Sequence, residues 1–284
     1  MGMLELSPRM TARIARPADE IAIRGLLSSV ARTTVRIGWW AEYLGQDIFL
    51  LTLVGGRPTG ALLSYPDVGP VAWVMLGAVS DGVEVGVWLD CCLPLMRSAL
   101  RRRGARVLAW MDAGEWAGPA LQTRGFRQTG RIVNLLKEDR DLPVISVPDV
   151  YLREVRTEDI ESVARVDRGA FTPPWWLSKL TLDRARRMST SFLVAERAGR
   201  CVGYVTGRAA EGHAHIDRLA VGPSFQGEGI GALLLVGVLN QLWEQGVEEV
   251  TLNTQESNRS SQRLYRRFGF RPLKEKIIIW ERGL

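Results

Sequence analysis

With 284 residues, 46% hydrophobic and 24% charged, the chain has the composition of a soluble globular protein of about two domains. Its three cysteines and two histidines stand at neither disulfide-framework nor ligand spacing, which argues against a metal site and leads to the expectation of a reducing, cytoplasmic location; the stretch MGMLELSPRM lacks a signal peptide's charged start and apolar run, and the longest apolar run, near Ile230, stops at Asn240, too short to span a bilayer. The net charge of +6, fed by Arg101–Arg103 and by Arg184, Arg186 and Arg187, fits solvated helix faces; lacking the aromatic–basic interleaving of a nucleic-acid module, it argues against that class and leaves room for a polyanionic cofactor or an acidic partner.

Along the chain, three early stretches return later. RIARPAD (13–19) is echoed by REVRTED (153–159), GWWAEYL (38–44) by PWWLSKL (174–180), and LQTRGF (121–126) by LYRRFGF (264–270), at offsets of 140, 136 and 144 residues. A period this long is a domain duplication, not a solenoid. Between the halves, EDRDLPVISVPDV (138–150) is charged and proline-bearing and reads as a linker. The expected domains are therefore 1–142 and 143–284.

In the second half, 150–155 reads as a strand and 158–167 as a helix with Thr157 as its N-cap. A second helix is expected over 175–187, after the Pro173-Pro174 break. Strands over 191–196 and 201–208 form a hairpin about Ala198-Gly199. A strand over 213–221, a helix over 229–245, a strand over 249–254, a helix over 258–268 ended by Gly269, and one or two strands over 271–280 complete the order. Helices between some strands and a hairpin between others predict a mixed, mostly antiparallel α/β (α+β) sheet flanked by helices, twice over.

The stretch SFQGEGIGALLL (224–235) places Gly227, Gly229 and Gly231 where a helix opens. A helix start offers unpaired amides and partial positive charge, and bare glycines let a phosphate approach them. A tight packing turn explains the glycines equally well. A P-loop is excluded, because no lysine follows. Gly227-x-Gly229-x-x-Ala232 fits a dinucleotide fingerprint, but Gly222–Gln226 separate it from the strand, and the acids Glu248 and Glu249 begin the next strand instead of ending it.

RLAVGPSFQGEGIGALLL resembles the acetyl-CoA-binding motif of the GNAT N-acetyltransferase superfamily, Gln/Arg-x-x-Gly-x-Gly/Ala, filled here by Gln226, Gly229 and Gly231. The companion motif of that family is present on the next helix, NRSSQRLYRRFGF (258–270). The resemblance covers about 150–280, with a weaker echo in the first half. It implies acetyl-CoA as co-substrate. It further implies that the backbone of Leu219, Ala220 and Val221 pairs with the pantetheine arm and that the amides of Gly227, Glu228, Gly229, Ile230, Gly231 and Ala232 hold the pyrophosphate. Asn258 would contact the pantetheine region and Tyr265 would sit near the thioester sulfur. Asn258 and Tyr265 are seven residues apart, hence on one helix face. A tyrosine stays protonated at neutral pH and can donate to a departing thiolate. Arg259, Arg263, Arg266 and Arg267 form a basic stripe on the same helix.

The first half lacks the loop. VSDGVEVGVWL follows the strand over 73–78, no Gln/Arg-x-x-Gly-x-Gly survives, and the position aligned with Tyr265 is read as Gln122. It is expected to be a degenerate GNAT-like domain without cofactor, a layout known among tandem members of the family, mycothiol synthase included.

The acceptor is expected to be a small-molecule amine or a protein N-terminal amine. At pH 7.5 a lysine amine near pKa 10.4 costs about 4 kcal/mol to deprotonate, an α-amine near 7.8 well under 1. The candidate bases are His215 and Asp217, expected to share one strand face with Leu219 and Val221 by the period of two, with His213 at the start of that face. FTPPWWLSKL (171–180) also resembles ribosomal-protein alanine N-acetyltransferases, which carry a glutamate where this chain has Asn253. The expected function is an acetyl-CoA-dependent N-acetyltransferase acting by direct attack, with a backbone amide near Leu219–Val221 stabilising the oxyanion and Tyr265 as general acid. A non-catalytic CoA sensor or scaffold, and more distantly a nicotinamide-dependent oxidoreductase, are the alternatives.

Overall fold

RIARPAD and REVRTED close the same strand-to-helix corner. Arg13 donates to both oxygens of Asp19 at 2.6 and 2.7 Å, and the Arg16 amide donates to the same carboxylate at 2.7 Å. Arg153 grips Asp159 at 2.7 and 2.9 Å, with the Arg156 amide again at 2.7 Å. Each corner is a single 3-10 turn, Pro17–Asp19 and Thr157–Asp159. Thr157 is therefore not an N-cap. The Asp159 carboxylate reaches back to the orphan amide, and the α-helix starts at Ile160.

A computed structural model describes residues 9–284; residues 1–8, which carry most of the stretch read for a leader, lie outside them. The chain forms two units, one running through Gly130 and including Ile277–Leu284, the other Arg131–Lys276. In the first, β1 (Met10–Ile14), α1 (Glu20–Ser29), β2 (Thr33–Val35), β3 (Phe49–Val54), β4 (Arg57–Pro66), β5 (Val71–Val79), α2 (Val85–Arg102), β6 (Val107–Ala113) and α3 (Gly118–Thr123) follow in order. β1, β3, β4 and β5 pair antiparallel in sequence, and β5 runs parallel to β6. The outer neighbour of β6 comes from the far end of the chain, residues 277–283.

Next come β7 (Arg127–Lys137), β8 (Tyr151–Glu154), α4 (Ile160–Ala170), α5 (Lys179–Met188), β9 (Ser191–Arg197), β10 (Arg200–Ala210), β11 (His213–Val221), α6 (Ile230–Glu244), β12 (Glu249–Gln255), α7 (Arg259–Arg267) and β13 (Arg271–Gly283). β8, β9, β10 and β11 pair antiparallel, β11 and β12 pair parallel, and β12 pairs antiparallel with residues 132–137 of β7. Both sheets are mixed, mostly antiparallel and flanked by helices. Each is finished by a strand from outside its half of the sequence, so the units differ from a division after residue 142. β7 and β13 are equivalent in the repeat, and side-chain pattern alone does not say which sheet edge an equivalent strand joins.

Helix α5 starts at Lys179, not Trp175. Pro173-Pro174 cannot supply helical amides, Trp175 closes a turn onto the Thr172 carbonyl at 2.8 Å, and Ser178 Oγ caps the helix by accepting from the Thr181 amide at 3.0 Å. On the other side of the sheet, α6 buries Leu234, Leu235, Val238, Leu239 and Leu242 completely. At about 1.5–3 kcal/mol per fully buried side chain, that packing fixes the helix whose start carries the glycines. No helix among the described residues is long and apolar enough to cross a membrane.

Candidate active site

Gly227 and Gly229 adopt φ of 86° and 88°, a region that costs an L-residue about 1–2 kcal/mol. Gly229 is the N-cap of α6, and no side chain caps that helix. A Cβ at Gly229 would lie 3.3 Å from Val147 Cγ2, whereas one at Gly231 would make ordinary contacts with Leu219, Val221 and Leu264. Protein neighbours therefore do not require glycine at 231. The Glu228 carboxylate is drawn to Arg197 at 2.5 Å, and the Gln226 amide donates to the Val221 carbonyl at 3.0 Å. The equivalent helix start in the first unit is filled by the chain itself. Glu84 accepts from the Gly86 and Val87 amides at 3.0 and 2.7 Å, and those two bonds hold its carboxyl below the usual range.

β11 carries a bulge. Thr206 of β10 pairs with Arg218, but the next residue, Gly207, pairs with Ile216, leaving Asp217 as the extra residue. The expectation that His215, Asp217, Leu219 and Val221 share one face is thereby corrected, because the bulge reverses the alternation. Before it, Ile216 packs with the α6 core and His215 points to the other side; after it, Leu219 and Val221 join the α6 side and Arg218 turns towards α4. The pairing of β11 with β12 also stops at Ile216–Leu252, although both strands continue. The edge of β11 that carries Leu219, Ala220 and Val221 is thus unpaired on the β12 side.

His215 stands just before this opening. Its Nδ1 lies 2.9 Å from Thr251 Oγ1, and that hydroxyl donates to the Ala214 carbonyl at 3.0 Å. Thr251 can then only accept from the ring, so the ring proton sits on Nδ1 and Nε2 is the basic nitrogen. Nε2 is 3.4 Å from the Asn253 amide nitrogen. Burial lowers the His215 pKa; Asp217 opposes the shift and Arg208 adds to it. Asp217 is held in a two-pronged pair by Arg208 at 2.8 and 2.5 Å. His213 is exposed and meets Glu249 at 3.0 Å.

On α7, Asn258 is the N-cap, its Oδ1 accepting from the Ser261 amide at 3.1 Å. Tyr265 is 6% exposed, edge-on to Phe270, and burial pushes its pKa up to about 12, the neighbouring Ser261 side chain opposing the shift. The arginine stripe is exposed; Arg259 and Arg266 flank a cavity of about 590 Å³ floored by Val133 and Leu135.

A group that sequence reasoning missed lies on the α4 side of β11. Asp167, fully buried, accepts from Arg218 Nε at 2.6 Å, from the Tyr204 hydroxyl at 2.5 Å and from the Leu177 amide at 2.9 Å. The signal was available. Ile160, Val163, Ala164 and Asp167 stand at i, i+3, i+4 and i+7, so an acid interrupts an apolar stripe.

In the first unit, the parallel-pair register puts Trp73 where the second has His215. Trp88, Trp110 and Trp116 cluster with ring centroids 5.6–6.1 Å apart, and Trp110 fills the space beside Gly77. Phe126 and Phe270 donate to the carbonyls of Leu121 and Tyr265, so the counterpart of Tyr265 is the buried Leu121 and not Gln122.

Residues 157–270 match the profile of the Acetyltransferase (GNAT) family. The chain is 32% identical over 247 residues to a mycothiol acetyltransferase of Thermomonospora curvata, covering 78% of this chain and 82% of the relative. Over 121 residues it is 27% identical to a putative [ribosomal protein bS18]-alanine N-acetyltransferase of Bacillus subtilis, covering 43% and 80%. A tandem GNAT protein from the clavulanic acid biosynthesis pathway shares the fold with a TM-score of 0.72 at 16% identity, over 96% of this chain and 98% of that one.

Proposed function

The chain belongs to the GNAT family of acetyltransferases, and from that premise we propose that its second unit moves an acetyl group from acetyl-CoA to an α-amino group, while its first unit binds no cofactor. Family membership makes the chain an acyltransferase and sets aside the nicotinamide-dependent reading. The observation that carries the proposal is the meeting of an uncapped helix start, bare of side chains at Gly227 and Gly229, with a strand edge left open by the bulge at Asp217. This arrangement fits a cofactor with a pyrophosphate and an amide-bearing arm. The amides of residues 227–232 would take the phosphates, and the backbone of Leu219, Ala220 and Val221 would take the arm. Acetyl-CoA, when bound, supplies the acyl group as a thioester.

The remaining chemistry belongs to side chains. His215 Nε2, neutral and basic, takes the proton that the acceptor ammonium must lose before it can attack. Tyr265 Oη holds a proton at neutral pH and offers it to the leaving sulfur. Asp217, committed to Arg208, acts on His215 through its charge and not as a base. At pH 7.5 an α-amine near pKa 7.8 loses its proton at little cost and a lysine side chain only at about 4 kcal/mol, so a histidine base suits the first and not the second. The alanine acceptor in the name of the Bacillus relative agrees with that class.

The test offers acetyl-CoA with an alanine-initiated hexapeptide, alanine amide and Nα-acetyl-lysine, following thiol release. α-Amines should react at least tenfold faster than the lysine side chain. Preference for Nα-acetyl-lysine would overturn the acceptor class. Binding of CoA without turnover of any amine would favour a sensor over an enzyme.

A further inference from the structure

Residues 171–178 join α4 to α5 without regular structure, yet the segment is tied at several points to one side chain. Arg218 Nη2 donates to the Trp175 carbonyl at 2.5 Å, and the guanidinium lies 3.7 Å from the centroid of the Phe171 ring. Its Nε donates to Asp167, which in turn accepts from the Leu177 amide. Trp176 Nε1 closes the segment onto the Phe171 carbonyl at 2.7 Å. Arg218 is thus a hub whose spokes reach both ends and the middle of the segment. Its Asp167 partner is fully buried, and that carboxylate also accepts from Tyr204. A buried acid with three donors is held in one geometry, because any of them left unpaired there would be costly.

The orientation of Arg218 depends on the bulge. Were the strand to alternate regularly through Asp217, position 218 would face α6 with Ile216, as Leu219 and Val221 now do. With the bulge, Arg218 faces the same side of the sheet as His215. The irregularity that opens the β11 edge therefore also aims the arginine that holds the 171–178 segment over the face carrying the basic nitrogen.

We propose that Arg218 is a positioning residue that holds residues 171–178 as a wall of the acceptor site, so that acceptor recognition depends on it and acetyl-CoA binding does not. The inference rests on the assignment of the second unit as the catalytic one. Arg218 touches neither reacting atom. It fixes the backbone at Trp175 and Leu177, and through it the surface that an amine meets on its way to His215.

Arg218→Lys keeps a positive charge against Asp167 but cannot serve Asp167 and the Trp175 carbonyl together in the same planar fork. Three measurements on the full chain separate the outcomes. Hydrogen exchange of the 171–178 segment should become at least tenfold faster, while exchange in α6 is unchanged. The calorimetric Kd for acetyl-CoA should stay within twofold. KM for an alanine-initiated hexapeptide should rise at least tenfold, with kcat changing less than threefold. If Arg218→Lys does not fold, the double variant Asp167→Asn/Arg218→Gln removes both buried charges and is read in the same way. Unchanged exchange in 171–178 overturns the clamp. Faster exchange with unchanged peptide KM overturns the acceptor wall. If wild-type protein binds acetyl-CoA but turns over neither the hexapeptide nor alanine amide, the functional reading fails and the acceptor wall falls with it, and exchange still decides whether Arg218 is a clamp.

Discussion

Tyr265→Phe removes one oxygen from a residue whose ring is locked in the core of the second unit, 6% exposed and 5.9 Å from the Phe270 centroid. The ring and its packing stay, so the folding cost is confined to the hydroxyl, about 1 kcal/mol at most, a fall in Tm of no more than about 2–4 °C. The catalytic cost is set by what the proton can do. With its pKa pushed up to about 12, the phenol is a weaker acid than a thiol near 8.5, and complete transfer to a thiolate runs uphill by about 5 kcal/mol. The contribution expected is therefore that of a hydrogen bond to developing negative charge, about 1.5–3 kcal/mol, or roughly 10- to 150-fold in kcat. The assay compares kcat for the alanine-initiated hexapeptide at saturating acetyl-CoA with the calorimetric Kd for acetyl-CoA. A fall in kcat with unchanged Kd marks an interaction made only in the transition state. Wild-type kcat in a variant of near-wild-type Tm would make Tyr265 a packing residue and refute the general-acid assignment.

Titration calorimetry should find one CoA per chain, because Glu84 already occupies the helix start of the first unit; two equivalent sites would refute its reading as cofactor-free. Gly229→Val forces a β-branched residue into φ of 88° and a Cβ to 3.3 Å from Val147, so CoA Kd should rise at least tenfold while the fold survives; an unchanged Kd would reduce the loop to a turn. The acid limb of kcat/KM should inflect below pH 6.5, since burial lowers the His215 pKa. The same shift means that the unfolded chain binds more protons in that range, so the His215 contribution to stability is complete above about pH 6.5 and fades as pH falls through the folded value. Tm against pH should accordingly be flatter between 5 and 7 in His215→Asn, and an unaltered slope would contradict it. Asp159→Ala should cost about 1–3 kcal/mol in urea unfolding, because the Arg156 amide loses its acceptor and Arg153 keeps only Glu196 and the Glu154 carbonyl.

The sequence by itself determined the local elements and their order. The Arg-x-x-Arg-Pro/Thr-x-Asp corners, the turn at Ala198-Gly199, the uncapped glycine start at Gly229 and the helix end at Gly269 are set by residues within about six positions of each other, where backbone conformation answers directly to side-chain type. The two family motifs around Gln226 and Asn258 were legible for the same reason. What depended on distant pairing was not. Period-two reading placed Asp217 with Leu219 and Val221, since nothing in HAHIDRLAV announces that Asp217 is the residue to be extruded; that is decided by the register β11 finds against Thr206 and Gly207. The destinations of β7 and β13 were equally hidden, because two duplicated strands carry similar patterns and only the free edges of β12 and β6 select between them. The acid in the apolar stripe of α4 was visible, but its partner was not. Asp167 and Arg218 are 51 residues apart, and only the bulged strand, folded against the helix, turns a buried charge into the hub of a site.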